Sequence, residues 1–234
     1  MAQTSIFLSN LSLKARIVLS CLSVLALTFN AGAKQITVTI VDQNNAPVPN
    51  AVLSITSPDV KTVLNPTIEE KAAVMDQINE QFSPTVLIVE QGQQVSFPNS
   101  DEIRHHVYSF SHPNQFEIKL FSGQDTKTIS FENHGVVVLG CNIHDNMIGY
   151  IYVSNGQPSY LSDVNGNVQF LSEVSETTSI KASVWHPQLS VMQDQIIEIS
   201  IPADTSFHRV TIPFILEPEQ VTKEQTGFKR KFGR

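Results

Sequence analysis

The chain has 234 residues, of which 41% are hydrophobic and only 16% are charged, and its formal net charge at pH 7 is −7. An acidic chain lacks the basic surface that attracts nucleic acids, so we expect no nucleic-acid partner. The length suits one large domain or two small ones.

The first 33 residues have the pattern of a secretory signal peptide. They contain Lys14 and Arg16 but no acidic residue, continue through an apolar run at 17–29, and end in Ala-Gly-Ala. The apolar run is too short to span a membrane. We therefore predict cleavage after Ala33, export to the periplasm and no stable insertion into a membrane.

Cleavage changes the cysteine content of the protein. The chain has two cysteines, and removal of the signal peptide takes away Cys21 and leaves Cys141. Cysteines of exported proteins are commonly paired in disulfides. A lone exported thiol therefore calls for an explanation.

Apolar residues recur at every second position in five short stretches. A period of two is typical of β-strands with one buried face. Turn-forming segments at 42–50, 122–125, 132–135 and 164–167 separate such stretches, and short strands at this spacing predict an all-β sandwich fold. The alternating sets are Ile36, Val38 and Ile40; Ala51, Leu53 and Ile55; Phe116, Ile118 and Leu120; Ile180, Ala182 and Val184; and Ile197, Ile199 and Ile201.

Residues 67–82 are the one segment for which we predict a helix. Thr67 and Glu70 have the spacing of a capping box. Three apolar residues would then share one helix face. These are Met75, Ile78 and Phe82.

Residues 135–153 place three metal-binding residue types in a short bridge between two apolar strands. The first strand ends at Cys141 and the second starts after Met147. In a tight turn, residues three apart can point to one centre, so Cys141, His144 and Met147 can share an ion. Thiolate, imidazole and thioether are donors that suit copper.

A second imidazole is needed to complete a trigonal ligand plane, and two histidines lie upstream. His105 and His106 are consecutive in "FPNSDEIRHHVYSF". Successive side chains of an extended segment face opposite ways, so only one of the two can reach the centre.

The chain from about 82 to 153 resembles the cupredoxins, the blue-copper family of plastocyanin, azurin and amicyanin. The resemblance lies in "FSPTVLIVEQGQQVSFPNSD" and in "GCNIHDNM", which has the short ligand spacing of the amicyanin type. It implies a Greek-key β-sandwich that binds one type 1 copper. Its ligands would be His105, Cys141 and His144 with Met147 in the axial position, and His106 is the alternative first ligand.

This sequence departs from the cupredoxin pattern next to the first ligand. In most of the family the following residue is an Asn whose side chain ties the two ligand loops together, and here it is His106. Phe97, Tyr108, Phe110 and Ile148 are candidates for an apolar surround of the site. His112, His134, His186 and His208 are interpreted as solvated or structural residues.

Two further resemblances concern the protein class and the flanking segments. "MDQINEQF", "FPNSD", "HHVYSFS" and "GCNIHD" are similar to exported proteins labelled methylamine utilization proteins. "ITVTIVDQNNAPVPNAVLSI" resembles the opening hairpin of transthyretin-like domains related to carboxypeptidase regulatory modules, and "SDVNGNVQF" resembles their continuation.

The positions of these motifs predict an inserted domain. We expect a cupredoxin domain at 74–156 between the two parts, 34–60 and 157–216, of a transthyretin-like domain, because a folded insert is tolerated at a loop tip. Two consecutive domains are the alternative. Residues 217–234 are polar, end in "KRKFGR", and are predicted to be a disordered basic tail.

The predicted function is that of a periplasmic one-electron carrier with a redox protein, a cytochrome or a dehydrogenase, as partner. We predict that the protein is not an enzyme, because the sequence shows no acid and base pair of carboxylates, no Ser and His arrangement and no Gly-rich phosphate loop. Two alternatives are a copper-binding or storage protein without a redox partner, and a metal-free β-sandwich interaction module.

Overall fold

The computed structural model of the chain consists of β-strands and connecting segments, and the described residues contain no helix. The described residues are 33–57, 62–63, 73–121, 126–173, 179–202 and 204–217. The predicted signal peptide, apart from Ala33, the start of the predicted helix and the predicted tail beyond Glu217 lie outside these ranges. Across the described ranges, no helix is long and apolar enough to span a membrane. The predicted all-β class is confirmed.

Within the described ranges the chain forms eighteen strands in two groups. We call the first group the split sandwich, because its strands come from both ends of the described chain, and the second group the central sandwich. The strands of the split sandwich are β1 Lys34–Val41, β2 Val52–Ile55, β3 Thr62–Val63, β14 Ser159–Leu161, β15 Asn167–Ser172, β16 Ile180–Trp185, β17 Ile197–Ile201 and β18 Phe207–Thr211. The strands of the central sandwich are β4 Ala73–Val74, β5 Asp76–Ile78, β6 Gln81–Ser83, β7 Val86–Glu90, β8 Gln94–Phe97, β9 His105–Ser109, β10 Phe116–Phe121, β11 Lys127–Ser130, β12 Gly135–Cys141 and β13 His144–Ser154.

The split sandwich has two four-stranded sheets, of orders β18-β1-β15-β3 and β14-β2-β16-β17. Strand β1 pairs antiparallel with β15 from Lys34 to Thr39 and parallel with β18. The predicted alternation holds in β1, where Ile36 and Val38 are buried in a core shared by the two sheets. The transthyretin-like identity of this sandwich stays a prediction.

The central sandwich has a five-stranded sheet of order β10-β9-β12-β13-β7, a three-stranded sheet of order β11-β8-β4, and the two-stranded hairpin β5-β6. One buried cluster lies between the larger sheets, with Phe97 and Leu139 among its members. Strands β12 and β13 form a long antiparallel pair from Gly135↔Val153 to Gly140↔Ile148. This pair carries two of the predicted ligand residues at its end.

The two sandwiches meet through an aromatic contact. Trp185 of β16 is buried with Val86 of β7, and its ring centroid lies 5.9 Å from that of Tyr150 and 5.7 Å from that of Tyr152. The Tyr152 hydroxyl also lies 3.1 Å from the Ser54 hydroxyl of β2. Strand β13 therefore connects the candidate site to the other sandwich.

The helix predicted over 67–82 is wrong for the residues from 73 onward, which form β4, β5 and β6. Gln77 is fully buried and donates its amide to the Pro98 carbonyl at 2.7 Å, so the buried positions run Met75 then Gln77 with a period of two. Asn79 and Glu80 form the hairpin turn with φ of 54° and 59°. The apolar residues 75, 78 and 82 have the spacing of a helix face because the buried position between them is the polar Gln77 and because residues 79–80 form a left-handed turn.

Strand β10 differs from its predicted alternation at one end. Leu120 is 53% exposed, although its alternation with Ile118 predicts a buried position. The pairing of β10 with β9 shifts between Ile118 and Phe121, so that Phe121 takes the inward place. An irregularity of one residue moves the following side chains to the opposite face.

Candidate metal centre

Three strand ends at one edge of the five-stranded sheet supply the donor residues. Strand β9 begins at His105, β12 ends at Cys141 and β13 begins at His144. Cys141 pairs with Val107 of β9 on one side and with His144 of β13 on the other. Because β12 is the middle strand, its thiol lies between the two histidines.

The donor atoms of these residues converge. The Cys141 sulfur lies 3.7 Å from His105 Nδ1 and 3.7 Å from His144 Nδ1, and the three donor atoms are all within 4.8 Å of one another. Ligands that lie about 2.0–2.3 Å from one ion have this separation when the angle between them is close to trigonal. Both sulfur–nitrogen distances therefore fit donors that share one metal ion.

Burial differs among the three donors. Cys141 is buried and has no disulfide partner among the described cysteines. His105 is 0% exposed, whereas His144 is only half-buried. Water is thus excluded from the thiol and one imidazole, while the other imidazole lies near the surface. A buried thiol with two imidazoles is a donor set that suits copper.

Asp101 holds the far side of the His105 ring. Its Oδ2 lies 2.8 Å from His105 Nε2. Partial burial by itself raises the pKa of Asp101, but hydrogen bonds from the Glu80 N–H, the His105 ring and the Asn79 N–H outweigh it and lower that pKa below its usual value. The carboxylate is therefore ionised at neutral pH and acts as an acceptor.

Glu80 approaches the far side of the other imidazole. Its Oε2 lies 3.6 Å from His144 Nε2, and its side chain is 58% exposed. An exposed pair at this distance contributes little to stability. Each imidazole thus has its Nδ1 toward the thiol and its Nε2 toward a carboxylate.

His106 faces away from the donor cluster. Its Nε2 lies 2.9 Å from Glu117 Oε1 of β10, on the opposite side of β9 from His105. The structure therefore brings His105 beside Cys141 and leaves His106 outside, as the alternation of side chains along a strand requires. The main chain joins the segments that bear these residues, since Asn142 N–H donates to His106 O at 3.1 Å.

Met147 lies in an irregular part of β13. The pairing of β12 with β13 shifts between Gly140 and Cys141, so residues 145–147 have no partner on β12. Met147 is buried in the same cluster as Cys141, and both side chains border one groove of about 660 Å³. Met147 thus borders the same groove as Cys141, and its axial role stays a prediction.

The predicted apolar surround is only partly correct. Phe97 is buried in the core of the central sandwich, but Phe110 is 77% exposed and Ile148 is also exposed. Tyr108 is half-buried and lies against Gly140, where an added Cβ would be 2.8 Å from the ring Cζ. Phe110 and Ile148 therefore belong to the surface beside the site.

Three residues near the donors have no role predicted from the sequence: Asn99, Asp101 and Glu80. Asn99 is buried, donates its amide to the carbonyls of Ile103 and Phe121 at 2.9 and 3.1 Å, and accepts the Asp101 N–H at 3.0 Å. These bonds shape the segment that leads to His105. The signal was present in "NSD" before the histidines, because polar residues at such a loop commonly bond its backbone.

No protein-family model matches the chain, and no curated protein matches it. Among solved structures, the chain is similar to a purple cupredoxin from Nitrosopumilus maritimus, with 23% identity over 35% of this chain and 99% of that chain and a TM-score of 0.33. It is also similar to a variant of amicyanin in its reduced Cu(I) form, with 18% identity over 44% of this chain and 98% of that chain and a TM-score of 0.34.

A third similar structure is the Cu-containing nitrite reductase from Thermus scotoductus SA-01. The identity is 24%, the TM-score is 0.35, and the match covers 41% of this chain but only 25% of the reductase chain. The structures to which the chain is similar thus include cupredoxins. Identities and TM-scores at this level assign neither a family nor a function to this chain.

Proposed function

We propose that the protein is an exported copper protein that carries one electron at a time. The observation that carries this proposal is the position of the Cys141 sulfur, 3.7 Å from an imidazole Nδ1 on each side. His105, Cys141 and His144 would hold the metal, and Met147 would be the weak axial ligand of a type 1 site. Copper bound there would supply one-electron oxidation and reduction.

The chain itself provides a rigid and shielded ligand set. His105 and Cys141 are buried and stand on neighbouring strands, whose pairing at Cys141 and Val107 fixes the two donors relative to each other. Donors that are already in position need little rearrangement when a metal arrives or changes its charge. The half-buried His144 is the donor nearest to solvent and is the proposed point of electron exit.

The remaining parts of the proposal follow from the sequence. The signal-peptide pattern supports a periplasmic location, and the donor set supports a carrier rather than an enzyme. The acidic composition supports a partner with a basic surface, such as a cytochrome or a dehydrogenase. The resemblance to methylamine utilization proteins, together with a transthyretin-like split sandwich, would place the protein among exported cupredoxin fusions.

A copper-storage protein without a redox partner is a second candidate. The buried and shielded Cys141 favours it, because a thiolate away from water binds Cu(I) strongly. The two candidates differ in whether Cu(II) is also bound at the same donors.

Titration of the purified mature protein with Cu(II) tests the proposal. We expect one equivalent to bind with an intense visible charge-transfer band and a matching paramagnetic resonance spectrum. The band should disappear in Cys141→Ser and persist in His112→Ala, which changes an exposed histidine outside the cluster. Tight colourless binding of Cu(I) alone would support storage. Absence of stoichiometric copper binding would contradict both candidates and support the metal-free module.

A further inference from the structure

Three hydrogen bonds from other residues hold the Asp101 carboxylate in place. Its Oδ1 accepts the Asn79 N–H at 2.6 Å, and its Oδ2 accepts the Glu80 N–H at 3.0 Å and lies 2.8 Å from His105 Nε2. Both backbone donors come from the turn of the β5-β6 hairpin. This hairpin therefore holds the carboxylate against the imidazole.

These contacts determine which ring nitrogen of His105 carries the hydrogen. Each oxygen of the Asp101 carboxylate accepts a backbone N–H, and the ionised group has no hydrogen to donate. His105 Nε2 must therefore be the donor of its 2.8 Å bond to Asp101. In a neutral imidazole the other nitrogen, Nδ1, then has a free lone pair, and this is the atom 3.7 Å from the Cys141 sulfur.

We propose that Asp101 is a positioning residue that presents His105 Nδ1 as the metal donor and lowers the reduction potential of the site through its negative charge. The inference rests on the proposed function. A carboxylate bonded to a metal-bound imidazole makes that imidazole a stronger donor and favours the more highly charged metal state. Burial strengthens the effect, because His105 is 0% exposed and the Asp101 side chain only 13%.

Glu80 gives an internal comparison of the same charge. Its Oε2 is also near an imidazole Nε2, that of His144, but at 3.6 Å and with a side chain 58% exposed. Solvent and salt screen an exposed charge far more than a buried one. Glu80 is therefore expected to influence the site weakly, and its effect should vanish at high ionic strength.

An amide cannot replace the Asp101 carboxylate. In Asp101→Asn, an NH₂ group in the place of Oδ1 would face the Asn79 N–H, and in the place of Oδ2 it would face the Glu80 N–H. The second orientation also bonds His105 Nε2 only if the ring hydrogen moves to Nδ1, where it faces Cys141. Either orientation loses a backbone bond, and one of them gives a tautomer that cannot bind metal through Nδ1.

The decisive experiment compares wild type with two variants, Asp101→Asn and Glu80→Gln. Each variant loses one negative charge beside an imidazole. Redox titration of the copper-loaded proteins and affinities for Cu(II) and Cu(I) are measured at low and high salt. We expect Asp101→Asn to lower the ratio of Cu(II) to Cu(I) affinity about tenfold, equal to a rise of about 59 mV for a one-electron couple. Glu80→Gln should change the ratio by about twofold or less.

Equal shifts in the two variants, or no shift in Asp101→Asn, would overturn the proposal. Asp101→Glu keeps the charge and should restore most of the wild-type potential, which separates a charge effect from general damage to the loop. If Asp101→Asn does not fold, the potential of Asp101→Glu and the nitrogen-15 measurement of the His105 tautomer still test the proposal.

Nitrogen-15 spectra of the metal-free wild-type protein report the His105 tautomer directly and need no variant and no copper. We expect hydrogen on Nε2, and hydrogen on Nδ1 would overturn the proposal. Because this readout is independent of metal, failure of the protein to bind copper would contradict the proposed function while leaving the tautomer result to judge the role of Asp101.

Discussion

The backbone N–H of Asn142 donates to the carbonyl oxygen of His106 at 3.1 Å, and this bond joins the two segments that bear the donor residues. The cupredoxin resemblance implies a side-chain tether at position 106. Here a main-chain bond joins the segments, and the His106 side chain bonds Glu117 on the other face of β9. Two substitutions at adjacent positions should therefore have opposite consequences.

We predict that His105→Ala abolishes the visible copper band and that His106→Ala preserves it. The His105 Nδ1 lies 3.7 Å from the Cys141 sulfur, whereas the His106 ring is bonded to Glu117 on the other face of β9. Absorption spectra and metal content of the two purified variants check the prediction. Loss of the band in His106→Ala alone would assign the first ligand to His106 instead.

We predict that Met147→Leu retains one equivalent of copper and raises its reduction potential. Leu has a similar volume, so the change should cost less than about 1.5 kcal/mol in folding free energy, while removal of an axial thioether removes a donor that stabilises the oxidised metal. Met75→Leu is the matched control, because Met75 is equally buried in the central sandwich but lies outside residues 141–147. Equal potentials for the two variants would show that Met147 only packs in the core.

Gly149→Ala should destabilise the protein by about 1–3 kcal/mol. An added Cβ at Gly149 would lie 2.7 Å from Phe82 Cβ and 2.9 Å from its Cγ, atoms near the backbone of a buried residue that cannot move aside. Gly140→Ala is the comparison, because its Cβ would meet the outer end of the Tyr108 ring, which can rotate away. Urea unfolding measures both, and a smaller loss in Gly149→Ala than in Gly140→Ala would refute this account.

The unfolding free energy of the metal-free protein should decrease as pH falls from 6.5 toward 4. Burial lowers the pKa of His186 to about 4, partly opposed by its hydrogen bond to the Pro49 carbonyl. Between these pH values the unfolded chain binds a proton at His186 that the folded chain does not bind. The unfolding free energy is therefore highest above pH 6.5 and falls by about 3 kcal/mol near pH 4.

His186→Asn isolates this contribution, because its side-chain oxygen can still accept the Gln188 N–H that His186 Nδ1 accepts at 3.1 Å. The variant should show a flatter dependence of unfolding free energy on pH between 6.5 and 5, above the range where carboxylates titrate. An unchanged slope in this interval would assign the acid sensitivity to other groups.

Local patterns predict most of the strands but not their irregularities. Ile36, Ala182 and their alternating neighbours are buried as predicted, because every second side chain of a strand faces the core of a sandwich. The local pattern does not predict the β5-β6 hairpin, because Gln77 is buried through a bond to Pro98, a residue distant in sequence. A register shift such as that before Phe121 depends on the neighbouring strand and leaves no local mark.

The sequence predicts the candidate metal-donor residues better than it predicts the residues that are hydrogen-bonded to them. Cys141, His144 and Met147 lie within seven residues of one another in the sequence, so spacing predicts them as a group, and strand alternation separates His105 from His106. Asp101 and Glu80 act across segments that only the fold brings together, through a hairpin turn that the sequence predicts as a helix. Residue spacing therefore cannot predict the hydrogen bonds that backbone groups distant in sequence make to the site.

Strand β13 begins at His144 and carries Tyr150 and Tyr152 to the ring of Trp185 in the split sandwich. The two ends are separated by about 20–26 Å of extended chain. Trp185 is the only tryptophan of the sequence, so its fluorescence is a single-origin signal from the contact between the sandwiches. Together with the copper band proposed for Cys141, this fluorescence would distinguish separation of the two sandwiches from local unfolding of residues 141–147.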